Sequence, residues 1–166
     1  MPRRLLRSAG PSTGTPVKFH TLRREQQIAR PVGEVFAFFS DARNLEIITP
    51  PWMGFHTLTP GPIQLAAGTR IRYRLRVHGA PVRWTTEIRR WNPPTRFIDV
   101  QLSGPYRLWH HTHTFEACGG GTRMRDVVRY RLPFGPLGRV VNALLVRRDV
   151  ESIFDYRNRR IGEIFG

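Results

Sequence analysis

Apolar and basic residues alternate through the middle of the chain. In RIRYRLRV, Ile71, Tyr73, Leu75 and Val77 interleave with Arg70, Arg72, Arg74 and Arg76. That period of two predicts a strand with one buried and one wet face. After a turn at His78-Gly79-Ala80-Pro81, Val82, Trp84, Thr86 and Ile88 alternate with Arg83, Thr85, Glu87 and Arg89. Further strands are predicted over 96–102, 106–117 and 122–132, separated by Ser103-Gly104-Pro105 and by Cys118-Gly119-Gly120-Gly121. No long crossover intervenes, so the strands form an antiparallel meander.

The flanks read differently. From Val17 to Ala29 the chain looks extended. Val32, Val35, Phe36 and Phe39 then recur at helical spacing after Pro31, which predicts a short helix over 32–40. Asp41 or Asn44 can cap a second short helix through Ile48, stopped by Thr49-Pro50-Pro51. At the other end Leu137, Val140, Val141, Leu144, Leu145, Val150, Ile153, Phe154, Ile161, Ile164 and Phe165 map mostly to one stripe. They predict one helix over 137–165, about 40 Å long. The class is α+β: a strand, two short helices, a curved antiparallel sheet of about six or seven strands in all, and a long C-terminal helix. The sheet's inner face needs a cover, and the long helix is the only element large enough. The space between them is the default ligand site.

Composition adds bounds. The 166 residues suit one domain, taken as 17–166, after a basic, acid-free stretch at 1–16 that is expected to be a disordered tail. Cys118 is the only cysteine, so no internal disulfide can form, which suits a reducing compartment. With no apolar run of membrane-spanning length and no secretory h-region, a cytoplasmic protein is expected. The formal charge is +15, and Lys18 is the only lysine among 27 basic residues. Such a surface attracts anions without selecting among them. The arginine stripes lack interleaved aromatics for base stacking, so no specific nucleic-acid partner is expected.

WHHTHTF, residues 109–115, carries the candidate chemistry. On a strand His111 and His113 share a face with Trp109 and Phe115, while His110 points to solvent. A turn at 118–121 pairs Phe115 with Met124, His113 with Asp126, His111 with Val128 and Trp109 with Tyr130. A loop at 103–105 pairs Phe97 with His111, Asp99 with Trp109 and Gln101 with Arg107. The inner face then displays Asp99, Gln101, His111, His113 and Asp126 among Tyr73, Trp84, Trp109, Phe115 and Tyr130. Three readings remain open for these polar groups. They are satisfied buried pairs, His113 with Asp126 and His111 with Asp99; they fix the polar end of a ligand; or they do chemistry, with His113 as base, Asp126 as its orienter and His111 as a further candidate. Two histidines and two carboxylates can also hold zinc or ferrous iron, but histidines at i, i+2 are a loose signal. No cofactor and no metal is expected. Trp52 is placed at the cavity mouth or as a core anchor. Gly119–Gly121 is read as a hairpin turn, and nothing marks Cys118 as a nucleophile.

The segments RPVGEVFAFFSDARNLEIITPPW, GTRIRYRLRVHGAPVRWTTEI, GPYRLWHHTHTF, GGTRMRDVVRYRLPFGPLG and IFDYR together resemble the helix-grip fold of the SRPBCC superfamily. That group includes START lipid-binding domains, plant pollen-allergen-like proteins and polyketide cyclases. The closer likeness is to bacterial proteins described only as ligand-binding SRPBCC domains. The resemblance spans about residues 18–160 and implies a cavity for a hydrophobic or amphipathic small molecule, with an anionic one suiting the charge. It carries over no substrate and no catalytic set. The alternatives it leaves are a cyclase- or hydrolase-type enzyme using a His-Asp pair, and lipid transfer or association with an anionic membrane through the basic sheet face.

Overall fold

The computed structural model describes residues 19–133, 135–141 and 145–166. The tail expected over 1–16 lies outside these residues, as does Leu144 of the expected helical stripe. The elements run β1 (His20–Ile28), α1 (Val32–Ser40), α2 (Asn44–Ile47), a 3-10 turn (Pro51–Met53), β2 (His56–Thr57), β3 (Arg70–Val77), β4 (Ala80–Asn92), β5 (Arg96–Ser103), β6 (Leu108–Cys118), β7 (Gly121–Arg131), α3 (Gly135–Val141) and α4 (Arg147–Phe165). Seven strands form one antiparallel sheet in the order β1-β7-β6-β5-β4-β3-β2, so the first strand closes against the last. Register shifts in β4, between Thr85 and Thr86 and between Ile88 and Arg90, add the local bends by which a sheet curls.

The alternation sorts faces as patterning requires. Ile71, Tyr73 and Leu75 are buried between exposed Arg70, Arg72, Arg74 and Arg76. Trp84, Thr86 and Ile88 are buried on β4, and His111, His113 and Phe115 on β6. Residues on the inner face pack under α1 and α4. Phe36 and Phe39 of α1 and Ile161 and Phe165 of α4 join Phe97, Phe115 and Met124 in one apolar cluster. The basic outer face is partly neutralised: Arg125 contacts Glu25 at 2.6 Å and Glu116 at 3.0 Å, and Arg70 contacts Glu87 at 3.1 Å. Among the described residues no helix is long and apolar enough to cross a membrane.

Five expectations are corrected. The β6–β7 register is as expected, but its turn has two residues, Gly119-Gly120, both at positive φ, rather than four. The β5–β6 register is displaced by two residues: Phe97 stands opposite His113 and Asp99 opposite His111, not opposite His111 and Trp109. Gln101 does not pair with Arg107. Its side-chain amide instead donates to the Tyr106 carbonyl at 2.6 Å and accepts the Tyr106 N–H at 3.3 Å, which moves the hairpin end outward. The expected C-terminal helix is present as α3 and α4, but its apolar stripe is not buried throughout. α4 has 19 residues, about 28 Å, and Leu137, Val140, Val141 and Leu145 are exposed rather than on a buried stripe. Finally, His110 is half-buried beside Arg129 and Val100, not solvated.

Candidate functional site

Three adjacent strands assemble a polar cluster inside the sheet. Asp99 on β5 faces His111 on β6, and His113, two residues along, faces Asp126 on β7. The hydrogen bonds run diagonally rather than straight across. His111 Nε2 is 2.9 Å from Asp126 Oδ1, and His113 Nε2 is 2.9 Å from Asp99 Oδ2. The straight contacts complete a ring. His113 Nδ1 lies 2.9 Å from Asp126 Oδ1 but outside hydrogen-bond angles, and His111 Nδ1 lies 3.5 Å from Asp99 Oδ2. The two imidazoles are 3.7 Å apart, and Phe97 stacks on His113 at 4.0 Å.

A fifth member comes from α4. Arg157 is buried in the stripe Val150, Phe154, Arg157, Ile161, Phe165, which faces the sheet at helical spacing. Its Nε is 4.0 Å from Asp126 Oδ2, and its guanidinium lies over the rings of Phe39 and Phe154. Sequence reasoning missed it among so many arginines. The signal was available, because position 157 falls on the apolar stripe when α4 is read at 3.6 residues per turn.

Burial and charge set the protonation of the cluster. Burial pushes the Asp126 carboxyl up, but Arg157, the hydrogen bond from His111 and the adjacent His113 more than reverse this and hold it well below the usual carboxylate range. Asp99 is likewise pushed up by burial and drawn below its ordinary value by His111 and His113. Burial lowers both imidazoles. His113 recovers through its two carboxylates and ends above its ordinary value, whereas His111, also repelled by His113, ends below it. Of the two rings, His113 is the one its surroundings favour for a proton and His111 the one they disfavour.

The cluster forms one end of a cavity of about 660 Å³ between sheet and helix. Asp99, His111, His113 and Arg157 line it, as do Tyr73, Trp84 and Trp109 of the expected walls. Thr86 holds two of these walls, with its hydroxyl 3.0 Å from Tyr73 Oη and 3.1 Å from Trp84 Nε1. Burial pushes the Tyr73 phenol up, so it stays neutral. Tyr106, tilted against Trp84 and Trp109, is a wall that sequence reasoning omitted. Phe38, Ile48 and Phe55, from the segment before β3, complete the far side. Trp52 stands at the rim, 59% exposed, with its ring edge-on to Tyr156. Four of the expected residues do not reach the cavity surface. Phe115 is packed among Phe36, Phe39 and Phe97; Asp126 lies behind the histidines; Tyr130 contacts Tyr106 and Trp109 from outside; and Gln101 braces the β5–β6 turn.

A curved antiparallel sheet closed over a cavity by a C-terminal helix is the helix-grip architecture. The chain belongs to the family described as polyketide cyclase / dehydrase and lipid transport, whose profile matches residues 20–164, and so to the SRPBCC superfamily. Solved structures share the fold. TTHA0849 from Thermus thermophilus is 22% identical with a TM-score of 0.62, covering 89% of this chain and 100% of that one. Ms6760 from Mycobacterium smegmatis is 20% identical with a TM-score of 0.61, covering 87% and 92%. Ara h 8.0201 is 17% identical with a TM-score of 0.61, covering 88% and 99%. No curated protein matches the chain in sequence. Membership of this superfamily suggests that a ligand is bound in the cavity.

Proposed function

We propose that the protein binds a hydrophobic or amphipathic small molecule in this cavity, its apolar body against Tyr73, Trp84, Tyr106 and Trp109 and its polar end at Asp99, His111 and His113. The supporting observation is that one cavity carries both the aromatic walls and the hydrogen-bonded cluster of Asp99, His111 and His113. A volume of about 660 Å³ falls in the range that takes drug-sized ligands. The family generally binds small hydrophobic molecules, which agrees with this reading.

Native mass spectrometry beside the denatured mass tests the proposal, together with a titration of 1-anilinonaphthalene-8-sulfonate followed by tryptophan fluorescence. The expected result is an organic mass lost on denaturation, or saturable 1:1 probe binding that His113→Ala weakens. A bare native mass together with no saturable probe binding would defeat the reading. A catalytic reading is favoured by one observation, the His111 ring on the cavity wall hydrogen-bonded to Asp126 behind it. Under that reading His111→Ala and His113→Ala would each abolish turnover of a bound ligand while leaving its binding measurable.

A further inference from the structure

We propose that Asp99, His111 and His113 form a binding site for a divalent first-row transition metal, zinc or ferrous iron, at the polar end of the cavity, with Asp126 as the outer partner of the His111 imidazole. The site rests on donor geometry and needs no assumption about the organic ligand. One donor atom from each of the three residues lies within 4.8 Å of the other two. Asp99 Oδ2 is 2.9 Å from His113 Nε2 and 3.5 Å from His111 Nδ1. Nitrogen and oxygen donors bind such ions at about 2.0–2.2 Å, which puts neighbouring donors roughly 3.0–3.5 Å apart. The two Asp99 separations therefore lie close to those around a common ion, and the two ring nitrogens are within 4.8 Å of each other.

The second observation concerns the nitrogens on the far side of the rings. His111 Nε2 and His113 Nδ1 are each 2.9 Å from the same atom, Asp126 Oδ1. A metal-bound imidazole characteristically gives its free N–H to a carboxylate, which fixes the ring and its tautomer. Here Asp126 Oδ1 takes the hydrogen bond from the His111 ring and lies against His113 Nδ1 outside hydrogen-bond angles. The division also matches the cavity: Asp99, His111 and His113 line it and Asp126 does not. Phe97 against His113 and Phe154 against His111 hold the rings in place. Among the described residues this is the grouping of histidine and acidic side chains with metal-ligand spacing.

Charge then says what the ion would present to the cavity. Arg157 sits on the Asp126 side, 4.0 Å from its outer oxygen, so guanidinium and outer carboxylate offset each other. Asp99 is the one anion among the three donors. A divalent ion there keeps a net charge of about +1 and, with three protein donors, open positions facing the aromatic walls. It would take an anionic oxygen, such as the carboxylate, enolate or phenolate of an amphipathic ligand.

The test uses the full chain, stripped with a chelator and titrated with Zn²⁺ by calorimetry, and with Fe²⁺ under anaerobic conditions. Histidine ¹⁵N long-range spectra are recorded in parallel. The expected result is one ion per chain, with the His111 Nδ1 and His113 Nε2 resonances shifting together. Asp126→Asn should weaken binding by roughly 10–100-fold, the usual effect of losing an outer partner. Asp99→Asn, removing a ligand, should weaken it more. The spectra need no variant, so the proposal stays open to refutation if a variant fails to fold. Absence of binding, or shifts confined to His20, His56, His78 or His110, would overturn it. Metal binding without an organic ligand leaves this site standing and the carrier reading failed; an organic ligand without metal binding does the reverse.

Discussion

The two ends of the sheet's inner face are both rich in aromatic rings and come out differently. Toward β1, β6 and β7, phenylalanines from α1, β5, β6 and α4 fill the space: Phe36, Phe39, Phe97, Phe115 and Phe165 interlock with Met124 and Ile161. Toward β3 and β4, Tyr73, Trp84, Tyr106 and Trp109 leave room instead of filling it. The difference lies in cover and in polar tips. α1 packs on β6 and β7, so phenylalanine there meets a helix. Over β3 and β4 the rings carry hydroxyl and indole groups that Thr86 ties down. A tyrosine or tryptophan held by its tip cannot collapse inward to close a gap. The cluster of Asp99, His111, His113, Asp126 and Arg157 stands at the border between the filled and the open end.

Substitutions should separate the two ends. Phe115→Ala in the filled end should cost about 3–5 kcal/mol by urea denaturation, since the residue is 1% exposed and its neighbours cannot collapse. At the border, Arg157→Met keeps the packing over Phe39 and Phe154 but leaves Asp126 without its guanidinium. We expect a loss of about 2–3 kcal/mol, less than the roughly 3–5 of a close buried pair because the contact is 4.0 Å. In the open end, Trp84→Phe should cost at most about 1.5 kcal/mol, since Thr86 keeps its bond to Tyr73, while probe affinity changes. If Trp84→Phe proved as destabilising as Phe115→Ala, the distinction between filled and open ends would fail.

Much of this arrangement is legible in the chain. Strand faces follow from alternation alone, and the β6–β7 register follows from a glycine turn centred between the two runs. The β5–β6 register does not, because Gln101 closes that hairpin with its side chain, which backbone patterning cannot register. The displacement is two residues, and strand parity is preserved over two. Asp99 therefore keeps the face it was expected to have while its partner changes from Trp109 to His111. Arg157 was hidden for a different reason: a charged residue on an apolar stripe reads as an interruption until the carboxylate it answers is known. The exposed Leu137 and Val140 show the converse, apolar stripe positions left without cover, whereas Val141 and Leu145 line the cavity.

Gln101 has a consequence beyond register. Its amide forms both bonds that a neighbouring strand would have given Tyr106, so it serves as a rung made of side chain. Gly104 lies against that amide so closely that a β-carbon there would fall 2.6 Å from Gln101 Oε1. Tyr106 in turn leans on Trp84 and Trp109. The shape of the binding chamber is therefore adjustable from outside it: exchanges at 101 or 104 would re-aim an aromatic wall with every residue of that wall unchanged. Two chains with the same cavity-facing side chains could in this way select different molecules.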